Sequence, residues 1–199
     1  FFQQPDVLEA LARAPSSVDA LTVKEVRQVL GMAPRNTGQA RIAVIGIGSG
    51  VLLRDLTATL PNARIVAMDL AWEPVNRLVM RDRAAGAQVL LSDGQDISLR
   101  SGACDVVVIP AGVLRHLDHH AQRRLMREAG RLLTAGGTVV VTEAVAREHV
   151  KAFVRRLRDD GWSINQAETP TPGIFRNSLF YLAWTLHQRS RVARGLVRA

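Results

Sequence analysis

The sequence predicts an α/β domain: a seven-stranded, mostly parallel sheet with an antiparallel final strand, helices on both faces and a short helical extension in front. Three observations predict it. Ile42 to Ile45 is a continuous apolar run that enters three glycines at alternate positions, Gly46, Gly48 and Gly50, and then a helically spaced segment. Apolar runs and helical patterns then alternate as far as Asp159, the mark of a parallel sheet covered on both faces. The last two apolar runs, Ser163–Glu168 and Ser178–Leu186, are joined by too few residues for a crossover helix, so they pair antiparallel.

The elements follow in order. Residues 1–40 form the extension: a short amphipathic helix over Pro5–Ala14, then a second helix over Val18–Leu30, with Ser16 and Ser17 as caps and Gly31 as its stop. The segment Met32–Gln39 is a loop into the main domain, residues 41–188. After the glycine turn, Val51–Leu60 is a helix that Pro61 and Asn62 end. Arg64–Asp69 is a second strand finishing on a carboxylate, and a helix from Glu73-Pro74 to Ala85 follows it. Gln88–Asp93 is a third strand, and Asp105–Pro110 a fourth with the clearest buried pattern in the chain. A helix over Ala121–Leu133 places Leu125, Met126, Ala129, Leu132 and Leu133 on one stripe. Ala135-Gly136-Gly137 then turns into a fifth strand, Thr138–Glu143, and a helix over Ala146–Asp159 ends at Gly161. Residues 189–199 are a basic tail.

The chain has 199 residues, with 47% hydrophobic and 22% charged, enough for a full core without disulfides or metals. Cys104 is the one cysteine and has no intrachain partner, which fits a reducing cytoplasm. No run reaches the roughly 18 apolar residues of a membrane span, and no signal peptide is legible in a chain that opens on Phe1-Phe2. The net charge of +8 comes almost wholly from arginine, since only Lys24 and Lys151 are lysines. It reads either as a solvated, composition-driven surface or as the footprint of an anionic partner.

Strand, glycine turn and helix together place bare N–H groups and a positive helix end against an anionic ligand. The dinucleotide fingerprint G-x-G-x-x-G fails, because Val51 stands where its third glycine belongs, and no Walker lysine follows. The turn reads instead Gly46-x-Gly48-x-Gly50. With Asp69 ending the second strand, Asp93 ending the third and Asp105-Val106-Val107-Val108 opening the fourth, it resembles the class I S-adenosylmethionine-dependent methyltransferases, particularly the small-molecule methyltransferase-domain group. The block from Arg127 to Gly137, containing Glu128, Arg131, Leu133, Gly136 and Gly137, is the most specific match to the family's E-x-x-R-x-L-x-P-G-G.

The resemblance implies a Rossmann-like fold and a transferase that binds S-adenosylmethionine. It implies that Gly46, Gly48, Ser49 and Gly50 hold the cofactor's methionine end, that Asp69 accepts its ribose hydroxyls, and that Leu70 lies on the adenine. It also implies that Asp93 and Gly94 read the adenine edge. A plain strand-end acid and a plain Asp-Gly turn are the structural alternatives for Asp69 and Asp93. The chain departs from the family at Val44, where an acid usually helps orient the cofactor's amino group.

In the resembled fold, the loop after the fourth strand faces the transferable methyl. Here it holds Arg115, His116, Asp118, His119 and His120. His116 is the expected catalytic base, with packing at a helix entrance as the alternative. No metal is expected, since Asp118, His119 and His120 are adjacent rather than spaced i, i+4. The [DNS]-P-P-[YFW] motif of nucleic-acid amine methyltransferases is absent, and Cys104 stands at the wrong end of its strand for a nucleophile. A small-molecule acceptor at oxygen, nitrogen or carbon is therefore expected, roofed by the N-terminal helices and Trp72. A non-catalytic member of the fold with an RNA or protein partner, held through the tail arginines, is the alternative. A nicotinamide-dependent reductase ranks last, because Tyr181 is the only tyrosine and no Tyr-x-x-x-Lys pair exists.

Overall fold

The computed structural model describes residues 17–32, 39–81, 86–167 and 179–188. The helix expected over Pro5–Ala14, most of the loop after Met32 and the basic tail lie outside the described residues. In chain order the elements are α1 (Ser17–Met32), β1 (Arg41–Ile45), α2 (Val51–Thr59), β2 (Arg64–Asp69), α3 (Trp72–Arg81), β3 (Ala87–Leu91) and β4 (Cys104–Ile109). They continue with α4 (His119–Leu132), β5 (Leu133–Ala146), α5 (Arg147–Asp159), β6 (Trp162–Ala167) and β7 (Leu179–Gln188).

The strands form one sheet in the order β3-β2-β1-β4-β5-β7-β6. The first five run parallel, with Val44 level with Ala67 on one side and Val108 on the other. β7 is antiparallel to both β5 and β6. The chain leaves β1 toward β2 and β3 on one side and returns to β4 on the other, so the direction of winding reverses between β1 and β4. In an open α/β sheet the crevice beyond the strand ends at that reversal is where ligands bind.

The buried strands alternate their side chains between two apolar layers. Ala43, Ile45, Val107, Ile109, Val139 and Val141 face Leu125, Met126, Ala129 and Leu132 of α4 and Phe153 and Leu157 of α5. Ile42, Val44, Val106, Val108 and Val140 face Val26 of α1, Leu52, Leu53 and Leu56 of α2, and Val75 and Leu78 of α3. Ile42 and Val107 are fully buried, and removing a side chain of that size from water stabilises by about 1.5–3 kcal/mol. In its described part the N-terminal extension is thus a layer helix. A buried hydrogen bond from Thr22 Oγ1 to Thr142 Oγ1 (3.0 Å) ties it to β5.

Two expectations are corrected. β3 ends at Leu91, so Asp93 lies in the following loop and not on the strand. β5 begins at Leu133 rather than Thr138: Leu133 pairs with Cys104, and pairing resumes five residues on at Thr138 with Val106. The stretch between is a bulge containing Gly136 at φ 81°, and an ideal Cβ on Gly137 would lie 3.1 Å from the Asp105 carbonyl oxygen. The glycine pair therefore serves close backbone passage beside β4 as well as a turn.

Candidate cofactor and acceptor site

The glycine turn leaves β1 at the switch point. Gly46, Gly48 and Gly50 all have positive φ, at 107°, 53° and 83°, and Gly50 is the left-handed cap of α2. At Gly46 the requirement is also steric, because an ideal Cβ would stand 2.5 Å from Val113 Cγ2 in the loop after β4. The turn and the loop after β4 are therefore in direct contact.

Asp69 braces the turn. Its Oδ2 accepts from the N–H groups of Ile47 (2.8 Å) and Gly48 (3.4 Å), and its Oδ1 from Ala71 N–H (2.9 Å). From α3, Arg77 Nη2 donates to the carbonyls of Ser49 and, at 3.5 Å, Gly48. Nothing in the sequence spacing marks Arg77. The turn is gripped at its amides by an acid and at its carbonyls by a cation, both supplied by the β2–α3 unit. Leu70, next to Asp69, is 71% exposed and free to cover a ligand, and Trp72 at the start of α3 is 60% exposed.

The loop after β3 joins the same edge. Ser92 N–H bonds Asp69 O at 3.0 Å, and a Cβ on Gly94 would lie 2.7 Å from Ile45 Cγ2, so the loop seats against the end of β1. Asp93 Oδ1 accepts from Gln95 N (2.9 Å) and Gln95 Nε2 (3.2 Å), which makes it the organiser of its own turn. Gly46, Gly48, Ser49, Gly50, Asp69, Leu70, Asp93 and Gly94 thus share one edge of the sheet.

After β4 the chain makes a short 3-10 turn, Leu114–His116. Gln122 Nε2 holds it through the carbonyls of Leu114 (2.9 Å) and Leu117 (3.1 Å). His116 is exposed at its end. Asp118 caps α4 by accepting from Ala121 N–H at 2.8 Å, and that bond is the main reason its carboxyl sits below the usual range. His119 lies against the Arg156 guanidinium, with ring nitrogens at 2.6 and 3.2 Å, turned toward α5.

A second strand-borne acid escaped the sequence reading. Glu143, 4% exposed, accepts from Gly112 N–H at 3.1 Å and so ties β5 to the loop after β4. The signal that picked out Asp69, an acid closing an apolar run, was present in Val139-Val140-Val141-Thr142-Glu143 as well.

The family block also acquires a physical role. Arg131 bonds Glu128 (2.7 Å) and the carbonyls of Ile97 and Leu99 (both 2.7 Å), while Glu128 accepts from Ile97 N–H at 3.1 Å. Residues 97–99 belong to the segment between β3 and β4, downstream of Asp93.

With this geometry in hand, a family described as a methyltransferase domain matches residues 42–137. That match takes in the glycine turn, Asp69 and the block ending at Gly137, and makes this stretch similar to a methyltransferase domain. Solved structures of similar shape accompany it. A SAM-dependent methyltransferase from Aquifex aeolicus aligns with a TM-score of 0.67 at 16% identity, over 92% of this chain and 98% of that one. A TehB-like SAM-dependent methyltransferase from Corynebacterium glutamicum aligns at 0.68 and 16% identity, over 94% and 100%. The N-methyltransferase NodS from Bradyrhizobium japonicum, solved in complex with S-adenosyl-L-homocysteine, aligns at 0.66 and 15% identity, over 92% and 98%. At these identities the likeness is one of fold. A search of curated protein sequences returns no match. Among the described residues, no helix is long and apolar enough to cross a membrane.

Proposed function

We propose that the chain binds S-adenosylmethionine and transfers its methyl group to a small-molecule acceptor at oxygen, nitrogen or carbon. The observation that carries this is Asp69 at the switch point: a carboxylate fixed by three peptide N–H groups beside a glycine turn that opens a helix. A carboxylate has about four lone-pair positions, so with three taken Asp69 keeps one for a ribose hydroxyl. The Ser49 N–H and the start of α2 suit the cofactor's carboxylate, Leu70 suits the adenine face, and Asp93 with Gly94 its edge. When bound, the cofactor supplies an already activated sulfonium methyl. The residues then have to hold it, line up the acceptor and exclude water. His116, on the loop after β4, is the base for an acceptor that arrives protonated.

The test is calorimetric titration with S-adenosylmethionine and S-adenosylhomocysteine. The expected result is binding by the unaltered chain, weakened at least about tenfold by Asp69→Ala through loss of charge-assisted hydrogen bonds. No binding by the folded chain overturns the proposal. His116→Gln is expected to slow methyl transfer while leaving cofactor affinity unchanged, once an acceptor is found by screening. An unaltered rate removes His116 from the reaction.

A further inference from the structure

We infer that Arg77 is a positioning residue for the cofactor: it aims the Ser49 N–H at an anionic group by holding the other end of the same peptide. The inference rests on the cofactor reading above. In a trans peptide the C=O and N–H point in opposite directions. The carbonyl of the Gly48–Ser49 peptide lies 3.5 Å from Arg77 Nη2, so its N–H faces away from α3. The carbonyl of the next peptide, Ser49–Gly50, is also on Arg77 Nη2, but there the N–H is consumed by Ile47 O at 3.0 Å.

Around it the amides are spoken for. Asp69 takes those of Ile47 and Gly48, and Ser49 Oγ takes that of Val51 at 3.4 Å. Between Ile47 and Val51, the Ser49 N–H is the one amide left without an acceptor among the described residues. It stands two residues before α2, on the positive side of the helix dipole. Its natural partner is a carboxylate, the group at the amino-acid end of the cofactor.

Arg77 also supplies what β1 does not. Val44 is 1% exposed and packs in the apolar layer with Val75 and Leu78, so β1 presents no polar side chain of its own two residues before the turn. Orientation of the turn comes from α3. Without the cation, the Gly48–Ser49 peptide is free to rotate and turn its carbonyl oxygen toward the ligand's carboxylate.

The experiment compares two ligands that differ only in the part the Ser49 amide is assigned to. S-adenosylhomocysteine carries the amino-acid end; 5′-methylthioadenosine keeps the adenosine and thioether but lacks it. Arg77→Met and Arg77→Lys are titrated with both, well below their unfolding temperatures. Arg77→Met is expected to weaken S-adenosylhomocysteine on the order of tenfold to a hundredfold and to leave 5′-methylthioadenosine within about twofold. Arg77→Lys, which keeps a cationic donor for one carbonyl, recovers part of the loss. Equal weakening of both ligands, or no weakening of either, makes Arg77 a brace of the fold and overturns the inference alone. Failure of the unaltered chain to bind either ligand overturns the cofactor reading and this inference with it.

Discussion

Glu128 and Arg131, one helical turn apart on α4, meet at 2.7 Å and together clamp the segment 97–99 that leads into β4. Glu128 is 16% exposed and Arg131 32% exposed at the side chain, so the pair is shielded from the solvent that makes most surface ion pairs weak. Its value lies in satisfying backbone groups. The guanidinium covers two carbonyls and the carboxylate one N–H, none of which has a strand partner.

The hydrogen bond from Arg131 is the main cause that holds the Glu128 carboxyl below its ordinary range, against the opposing effect of burial. A carboxylate with a lowered value in the folded chain stabilises fully above the unfolded value, and that contribution is lost as the pH falls through the folded one. Glu128→Gln is therefore expected to lower stability by about 1–3 kcal/mol near neutrality, with the deficit shrinking in acid. Thermal unfolding of the two chains between pH 7 and pH 3 checks this. A deficit that stays constant over that range removes the ionised form from the account.

Gly46 makes a second prediction. An alanine there meets two separate penalties: a backbone at φ 107° and a Cβ 2.5 Å from Val113 Cγ2. Gly46→Ala is expected to destabilise by about 2–4 kcal/mol, the sum of a strained backbone and an overpacked contact. Val113→Ala added to it removes the contact but not the strain, so the double variant recovers only part of the loss. Chemical denaturation of the four chains of this cycle measures the coupling. Full recovery shows that the backbone conformation costs nothing, and no recovery shows that the loop after β4 gives way freely.

Gly94→Ala tests the loop that carries Asp93. The added methyl would sit 2.7 Å from Ile45 Cγ2 and 3.3 Å from Leu125 Cδ1, two buried side chains of one close-packed layer. The loop, at the surface, is what moves. The expectation is a modest stability loss, about 1–2 kcal/mol, with a larger relative loss of S-adenosylhomocysteine affinity. Calorimetry beside thermal unfolding separates the two, and unchanged affinity detaches this loop from the adenine.

The sheet was legible because its inner strands are unbroken apolar runs: Ile42–Ile45, Ile65–Met68 and Val106–Ile109 admit no other reading between turn residues. The glycine turn and Asp69 were legible because their chemistry is local, one strand end feeding one helix. Arg77, Glu143 and the Glu128–Arg131 clamp were not, since each acts on backbone 28 to 34 residues away or across the sheet. A side chain that bonds a distant carbonyl leaves no period or spacing behind. The bulge before Thr138 was hidden for the opposite reason: Ala135-Gly136-Gly137 looks like an ordinary turn, and only the pairing of Leu133 with Cys104 shows that the strand had already begun.

Cys104 closes the set. It is the first residue of β4 and 2% exposed. Burial pushes its thiol up to about 11, with Arg41 opposing and Asp105 adding to the rise. The thiolate is the reactive form, and at pH 8 a group with that value is ionised in only about one molecule in a thousand. The unfolded thiol, with an ordinary value near 9, is about one-tenth ionised at that pH. The folded chain is therefore expected to react with a disulfide reagent at least about a hundredfold more slowly than the unfolded one, with the rate climbing only across the global unfolding transition. Because the folded value is raised, the unfolded chain gives up its proton first, so stability is full below pH 9 and falls as the pH rises toward 11. Cys104→Ala loses that alkaline dependence while paying for a small cavity under α4. Fast labelling of the folded chain at pH 8 contradicts the burial of β4 at its first residue, and with it the register that joins Cys104 to Leu133.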